Sequence, residues 1–306
     1  MKIFLTGGTG FIGSYVVMEL INKGHQVSIL ARNPEKVSGF LQKNSESNFN
    51  TNYIELIHGT LSDKNIIKNA LKGKDVCIHI ALGWGDKAVE MLKADTLPSV
   101  YIFETAAELG VNNIIYTSST AAVGETSSIM NEKTTTRPID FYGATKAATE
   151  GYLMPMADNY NIRCNIIRPG YTFGNPVVEG AATQPDQRFH EIVKAAKNNK
   201  PIKLIKHDGT QFIWAGDLAK IYSALLTSSH NRQVFFGLSS TFITWKEIAQ
   251  YAVDYLSSSS RIILEDKGWT KNDAFYDVSK IKKEFGFKFN ARNKIKEHIE
   301  YLAAII

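Results

Sequence analysis

Thr6-Gly7-Gly8-Thr9-Gly10-Phe11-Ile12-Gly13 decides how this chain is read. It follows the apolar run Ile3–Thr6, a first strand, and leads into an amphipathic helix from about Ser14 to Asn22. Glycines let a backbone turn sharply and approach a phosphate closely. The helix that follows points free N–H groups, and the positive end of its dipole, at that phosphate. Gly7, Gly10, Phe11, Ile12 and Gly13 are therefore the candidate anion cradle. The motif gains weight from its place, between a strand and a helix at the head of an alternating pattern. The competing reading is an ordinary strand-to-helix turn.

Working outward, the alternation continues. Strands are expected at Gln26–Ala31, Tyr53–His58, Val76–Ala81, Ile114–Ser118 and Asn165–Arg168, and helices at Lys64–Leu71, Pro98–Leu109 and Tyr142–Asn159. Short β-branched strands separated by helices specify an α/β fold with a doubly wound parallel sheet. Asn44–Asn52 and Ser257–Ser260 read as loops. After Arg168 the rhythm breaks into loops, aromatics and irregular helices, which bracket a helical Asp217–Thr227 and a strand-like Gln233–Phe236. The expected division is a dinucleotide-binding domain of residues 1–169 with 211–237, and a smaller, discontinuous substrate lobe of residues 170–210 with 238–306. A ligand would sit between the carboxyl ends of the strands and that lobe.

Composition narrows the class. The 306 residues are 44% hydrophobic and 21% charged, with a net charge of +5, as in a folded globular protein. The lysines are scattered, and Lys280 to Lys296 alternate with apolar residues as a solvated face does, so no nucleic-acid partner is expected. Cys77 and Cys164 lie in apolar runs and read as buried free thiols, which suits a reducing, cytoplasmic setting. Gly7 and Gly8 interrupt the apolar start too early for a signal peptide. No apolar run approaches the roughly 20 residues that span a bilayer. The seven histidines form no metal-spaced cluster with cysteine, so no metal is expected.

Tyr142-Gly143-Ala144-Thr145-Lys146 puts a tyrosine and a lysine four residues apart, on one helix face. An ammonium beside a phenol stabilises the phenolate and lowers its pKa from near 10, so such a tyrosine can exchange a proton with a substrate oxygen. Upstream, Tyr116-Thr117-Ser118-Ser119-Thr120 closes an apolar strand with hydroxyls that would face the ligand crevice and could hydrogen-bond a substrate oxygen. The competing readings are a chance surface pair and local turn capping.

These motifs, with Arg168-Pro169-Gly170, Gly216-Asp217-Leu218-Ala219 and Asp277-Val278-Ser279-Lys280, resemble the extended short-chain dehydrogenases/reductases, the NAD-dependent epimerase/dehydratase family. The resemblance spans nearly the whole chain and implies a Rossmann fold and an NAD(P)-dependent oxidoreductase. It implies Tyr142 as proton donor and acceptor, Lys146 on the nicotinamide ribose, and Ser119 at the family's catalytic Ser/Thr position. It implies cofactor contacts at Thr60, Leu61, Ile80, Ala81, Leu82 and Thr117, with Pro169 and Tyr171 near the nicotinamide. Two departures stand out: Thr60, where many members carry aspartate, and Asp95, where many carry asparagine.

Within that family, hydride transfer can be net or transient. The 4,6-dehydratases place an Asp-Glu pair after the catalytic Thr, where this chain has Thr120-Ala121. Nucleotide-sugar epimerases carry an arginine just before the stretch Phe212–Asp217, where this chain has Gly209-Thr210-Gln211. A second family arginine corresponds to Lys267. A weak diphosphate clamp favours a small carbonyl or sugar substrate without a nucleotide, with a nucleotide-sugar epimerase as the alternative. A non-catalytic NADP-binding sensor or scaffold is the second alternative; intact Ser119, Tyr142 and Lys146 argue against it. Trp84, Tyr171 and Trp214 are candidate pocket walls, or simply core aromatics. The second strand ends Leu30-Ala31-Arg32-Asn33, with no carboxylate for the adenosine ribose, and Arg32 suits a 2′-phosphate. NADP(H) is therefore expected over NAD(H). The helices Pro98–Leu109 and Tyr142–Asn159 suggest a homodimer, with Val100, Phe103, Ala107, Ala148, Leu153 and Met156 in its seam.

Overall fold

The computed structural model describes residues 1–34, 53–125, 129–177, 184, 186–270 and 275–306. Seven strands form one sheet: β1 (Lys2–Thr6), β2 (Gln26–Ala31), β3 (Ile54–His58), β4 (Val76–His79), β5 (Asn113–Thr117), β6 (Arg163–Pro169) and a late strand, Gln233–Gly237. The spatial order is β3-β2-β1-β4-β5-β6 and then the late strand, and every pairing is parallel. The order reverses between β1 and β4, which opens a crevice at their carboxyl ends. Helices α1 (Phe11–Asn22), α2 (Lys64–Leu71), α3 (Leu97–Glu108) and α4 (Phe141–Asn159) cross between strands. The expected loop at Asn44–Asn52 lies outside the described residues.

Alternation along the strands divides the core in two. Ile3, Leu5, Val27, Ile29, Ile78 and Ile115 face α1 and the helix Ala215–Thr227. Phe4, Leu30, Cys77, Ile114 and Ile166 face α2, α3 and α4. Both cysteines are buried and unpaired, as the sequence implied, and burial pushes each thiol up to about 12.

Four of the six side chains expected at a dimer seam, Phe103, Ala107, Leu153 and Met156, are instead buried in this second core. The apolar stripe of each helix is claimed by its own sheet. The outward face carries other residues: Leu97, Phe141 and Tyr152 are exposed.

A third core gathers Phe173, Phe189, Phe212, Ile243, Trp245, Ile295 and Ile299, on helices Arg188–Lys197, Trp245–Tyr255 and Arg292–Ile305. This is the region assigned to the substrate lobe. Two details cut across the expected division. Phe212 belongs to the third core, and Ile281 and Phe289 pack on the first. The described residues contain no helix long and apolar enough to cross a membrane.

Candidate active site

The glycine turn is built by close approach. Gly7 has φ +77°, and a Cβ there would sit 2.6 Å from Ala81 N. A Cβ on Gly13 would overlap Gly7 O. Gly10 is the N-cap of α1, extended and without a side-chain cap, and the first turn carries no acidic residue. Helix α1 therefore starts at Phe11, three residues earlier than the sequence suggested, and its first amides lie beside the turn. The Ala81 N–H donates to Thr6 Oγ1 at 3.4 Å. The chain thus bends toward the turn after His79, and β4 ends two residues earlier than expected.

Ile80 and Ala81 are half-buried beside the glycine turn, and Leu82 is exposed. Arg32 is exposed, directly after β2. Thr60 is exposed, and its N–H and hydroxyl donate to Asp63 Oδ2 at 2.6 and 2.8 Å, so a carboxylate does stand at this turn, three residues on. Leu61 is half-buried beside it. The Thr117 hydroxyl is taken by Tyr222 at 2.6 Å. Pro169 ends β6, buried. The Tyr171 ring lies in the third core's aromatic cluster, 4.9 Å from Phe212 and 5.3 Å from Trp245 between centroids. Trp214 packs edge-on to Tyr15 at 5.8 Å, which is its core reading. Trp84 is 65% exposed, with its ring 6.5 Å from that of Tyr142.

Ser119, Tyr142 and Lys146 come together. Ser119, two residues past the end of β5, caps the 3-10 turn Thr120–Ala122 by accepting from Ala121 N at 3.1 Å; Asp140 caps α4 by accepting from Gly143 N at 2.6 Å. Ser119 acts on the Tyr142 phenol, favouring its ionised form. Lys146 is buried, its Nζ 5.8 Å from the Tyr142 ring centroid and 5.2 Å from that of Tyr116.

The electrostatics correct one expectation. Lys146 was expected to lower the Tyr142 pKa; instead the phenol lies above its ordinary value. Burial is the main cause, Ser119 opposes it, and the Asp95 and Asp140 carboxylates add to it. Lys146 is already engaged, with Nζ 3.4 Å from Asp95 Oδ2. Burial lowers the lysine, and Asp95 and Glu150 raise it back in part.

Sequence reasoning named Asp95 and Arg168 but missed the polar scaffold that they build with His79 and Glu150 behind these groups. Buried His79 is linked to Thr6 Oγ1 at 2.6 Å and Ser99 Oγ at 2.8 Å, and burial holds it down to about 3. Arg168 grips Glu150 with two hydrogen bonds of 2.8 and 2.6 Å. Asp95 sits in a π-helical turn, Leu92–Thr96, ahead of α3. Pro98 is the available signal for that turn: it has no N–H to return to Ala94 O, so the α ladder is interrupted there.

The model of the NAD dependent epimerase/dehydratase family matches residues 3–235. A Bacillus subtilis protein described as an uncharacterized UDP-glucose epimerase is 26% identical over 257 residues, covering 75% of this chain and 74% of that one. A sterol-4-alpha-carboxylate 3-dehydrogenase (decarboxylating) of Dictyostelium discoideum is 27% identical over 164 residues, half of this chain and 47% of that one. The fold is shared with the UDP-glucuronic acid 4-epimerase of Bacillus cereus in complex with UDP-glucuronic acid and NAD: the TM-score is 0.82 at 19% identity, over the whole of both chains. With the glycine turn, the hydroxyl-ended β5 and the Tyr142–Lys146 helix in one crevice, this chain belongs to the NAD dependent epimerase/dehydratase family.

Proposed function

We propose that this chain is a nicotinamide-dependent oxidoreductase that moves hydride to or from a carbon bearing oxygen, with Tyr142 exchanging the proton. The observation that carries this reading is Tyr142 beside buried Lys146, whose Nζ lies 5.8 Å from the tyrosine ring centroid, with Ser119 acting on the phenol. An uncapped helix N-terminus without acidic residues, and a turn that a Cβ would fill at Gly7 and Gly13, fit a dinucleotide diphosphate. Gly7, Gly10, Phe11, Ile12 and Gly13 would hold it, and Lys146 the ribose beside Tyr142. The bound cofactor supplies or accepts the hydride. Ser119 donates a hydrogen bond to the substrate oxygen. Tyr142 gives its proton to that oxygen in reduction and recovers it in oxidation. NADP(H) is favoured over NAD(H), because exposed Arg32 follows β2 and no carboxylate stands between it and Pro34.

The substrate is a small carbonyl or sugar compound. Gln211, in the stretch where a diphosphate-gripping arginine would stand, is buried and fully occupied. Its amide donates to Ser239 O and Tyr276 O and accepts from Phe275 N and Tyr276 N. Lys267 pairs weakly with Glu265 at 3.8 Å. The nucleotide-sugar reading has one favourable feature besides the names of the relatives: Arg188 acts on Tyr171, is held 3.3 Å from Asp208 and lies 4.7 Å from the Trp245 ring centroid. The assay is oxidation of NADPH against a panel of small carbonyls, alongside conversion of UDP-glucose and UDP-glucuronic acid. Turnover that falls about 10²-fold in Tyr142→Phe supports the assignment; near-wild-type turnover in that variant overturns it. The active form is proposed to be a homodimer, and light scattering that returns only the 34.1 kDa chain at tens of micromolar excludes it.

A further inference from the structure

We propose that Asp95 is a positioning residue: it holds Lys146 as half of a neutral buried pair, and so keeps Tyr142 a protonated phenol, set to give its proton to a substrate oxygen. This rests on the reading of Tyr142 as the proton donor, and it adds what decides which form Tyr142 takes before anything binds.

The geometry leaves Asp95 little choice. Its residue has no solvent exposure. Its Oδ1 accepts from the Gly83 N–H at 3.0 Å. Its Oδ2 lies 3.4 Å from Lys146 Nζ and has no hydrogen-bond partner. Gly83 is packed so tightly on the π-helical turn that a Cβ would overlap Ala94 O, which pins the carboxylate from behind. A buried carboxylate and a buried ammonium 3.4 Å apart offset each other's charge, where either charge alone would be expelled or neutralised.

The other groups around Tyr142 and Lys146 leave that pair in control. On their own helix, Glu150 is consumed by the two-pronged grip of Arg168 on β6, a second pair that cancels itself. His79 on β4 is neutral, because burial holds it down. Tyr116 on β5 and Tyr222 on the helix Ala215–Thr227 are phenols that burial keeps protonated. Asp140 contributes a further negative charge from the cap of α4. The Ser119 hydroxyl alone favours the phenolate. Among the described residues, Lys146 is thus the cation that could draw the proton off Tyr142, and Asp95 cancels it.

The test reads Tyr142 directly, in the full chain without cofactor or substrate. Protein labelled with [13Cζ]tyrosine is titrated by NMR, and Tyr142→Phe identifies the signal among the 13 tyrosines. The wild-type Tyr142 signal is expected to move only above pH 10, and Asp95→Asn is expected to bring the midpoint down by about one unit or more. An unchanged or higher midpoint in Asp95→Asn overturns the proposal. If that variant does not fold, Asp95→Asn with Lys146→Met removes both charges, a change that buried pairs commonly tolerate. A midpoint in the double variant at or below the wild-type value supports cancellation. A rise of about one unit or more would mean that Lys146 acts on Tyr142 unopposed, and overturns it. The titration can fail while Tyr142→Phe still abolishes turnover, and the reverse, so the two readings are separable.

Discussion

Gly10 and Gly13 belong to one turn, yet alanine should do different things at each. A Cβ on Gly13 would overlap Gly7 O and also lie 2.7 Å from Gly7 C and 2.8 Å from Gly8 Cα. All three are backbone atoms, so the turn itself must open. Overpacking of this kind costs about 1–3 kcal/mol, after a helix-propensity gain of up to about 1 kcal/mol at this helical position. A chain of 306 residues has an unfolding entropy of about 0.6 kcal/mol/K, so Tm should fall by about 2–5 °C. At Gly10 the new Cβ meets only Gly7 O, at 3.1 Å, with φ −80°, and the loss of a glycine N-cap costs no more than about 1 kcal/mol, so Tm should fall by less than about 2 °C. The new methyl would nonetheless stand at the mouth of the turn, where a diphosphate must approach the backbone. NADPH affinity should fall at least about tenfold in both variants. Differential scanning fluorimetry and calorimetric titration separate the effects. If Gly10→Ala binds NADPH like wild type, the cradle is misassigned; if Gly13→Ala melts like wild type, the packing argument is wrong.

Three further outcomes follow from particular contacts. Arg32→Ala should weaken NADPH binding about tenfold or more and leave NADH unchanged; equal titrations of the two cofactors on wild type would refute the 2′-phosphate assignment. Glu150→Gln leaves the buried Arg168 guanidinium without its counter-charge, a loss of about 3–5 kcal/mol, or about 5–8 °C in Tm, and Glu150→Leu with Arg168→Met should recover most of it in the same melt. His79 and His298 are held down to about 3 and about 4 by burial, below the unfolded value near 6.5. Between those values the unfolded chain binds protons that the folded chain refuses, so this stability is complete above pH 6.5 and is lost as pH falls toward 4. Urea midpoints measured between pH 7.5 and 4.5 should fall accordingly, less steeply in His298→Gln; a flat profile contradicts the burial of both rings.

The parts of this molecule that the sequence revealed are those with a local period or a local clash. Strands β1, β2, β4, β5 and β6 were found because parallel strands buried on both faces read as short apolar runs; β3, at the sheet edge, has no buried residue. The turn was found because Gly7, at positive φ, and Gly13, against Gly7 O, leave room for no other residue. The Tyr142–Lys146 spacing is a helix repeat, visible without any partner. Four of the six side chains assigned to a dimer seam were misplaced for a related reason. Periodicity says that a face is apolar and not what it faces, and Phe103 and Leu153 went to the chain's own sheet.

The charge state of the site was not legible, because it depends on pairs far apart in sequence. Asp95 and Lys146 are 51 positions apart, and Glu150 and Arg168 reach from a helix to a strand. A lysine at i+4 from a tyrosine implies a lowered phenol only while that lysine is unpaired. Once a carboxylate from another element sits 3.4 Å from it, the pair presents a dipole instead of a charge, and its effect on a neighbouring phenol falls off far faster with distance. What remains at Tyr142 is the cost of burying a phenolate, which favours the neutral form. Local spacing therefore identifies the residues that carry the chemistry, and the long-range charge pairs decide the protonation state from which they start.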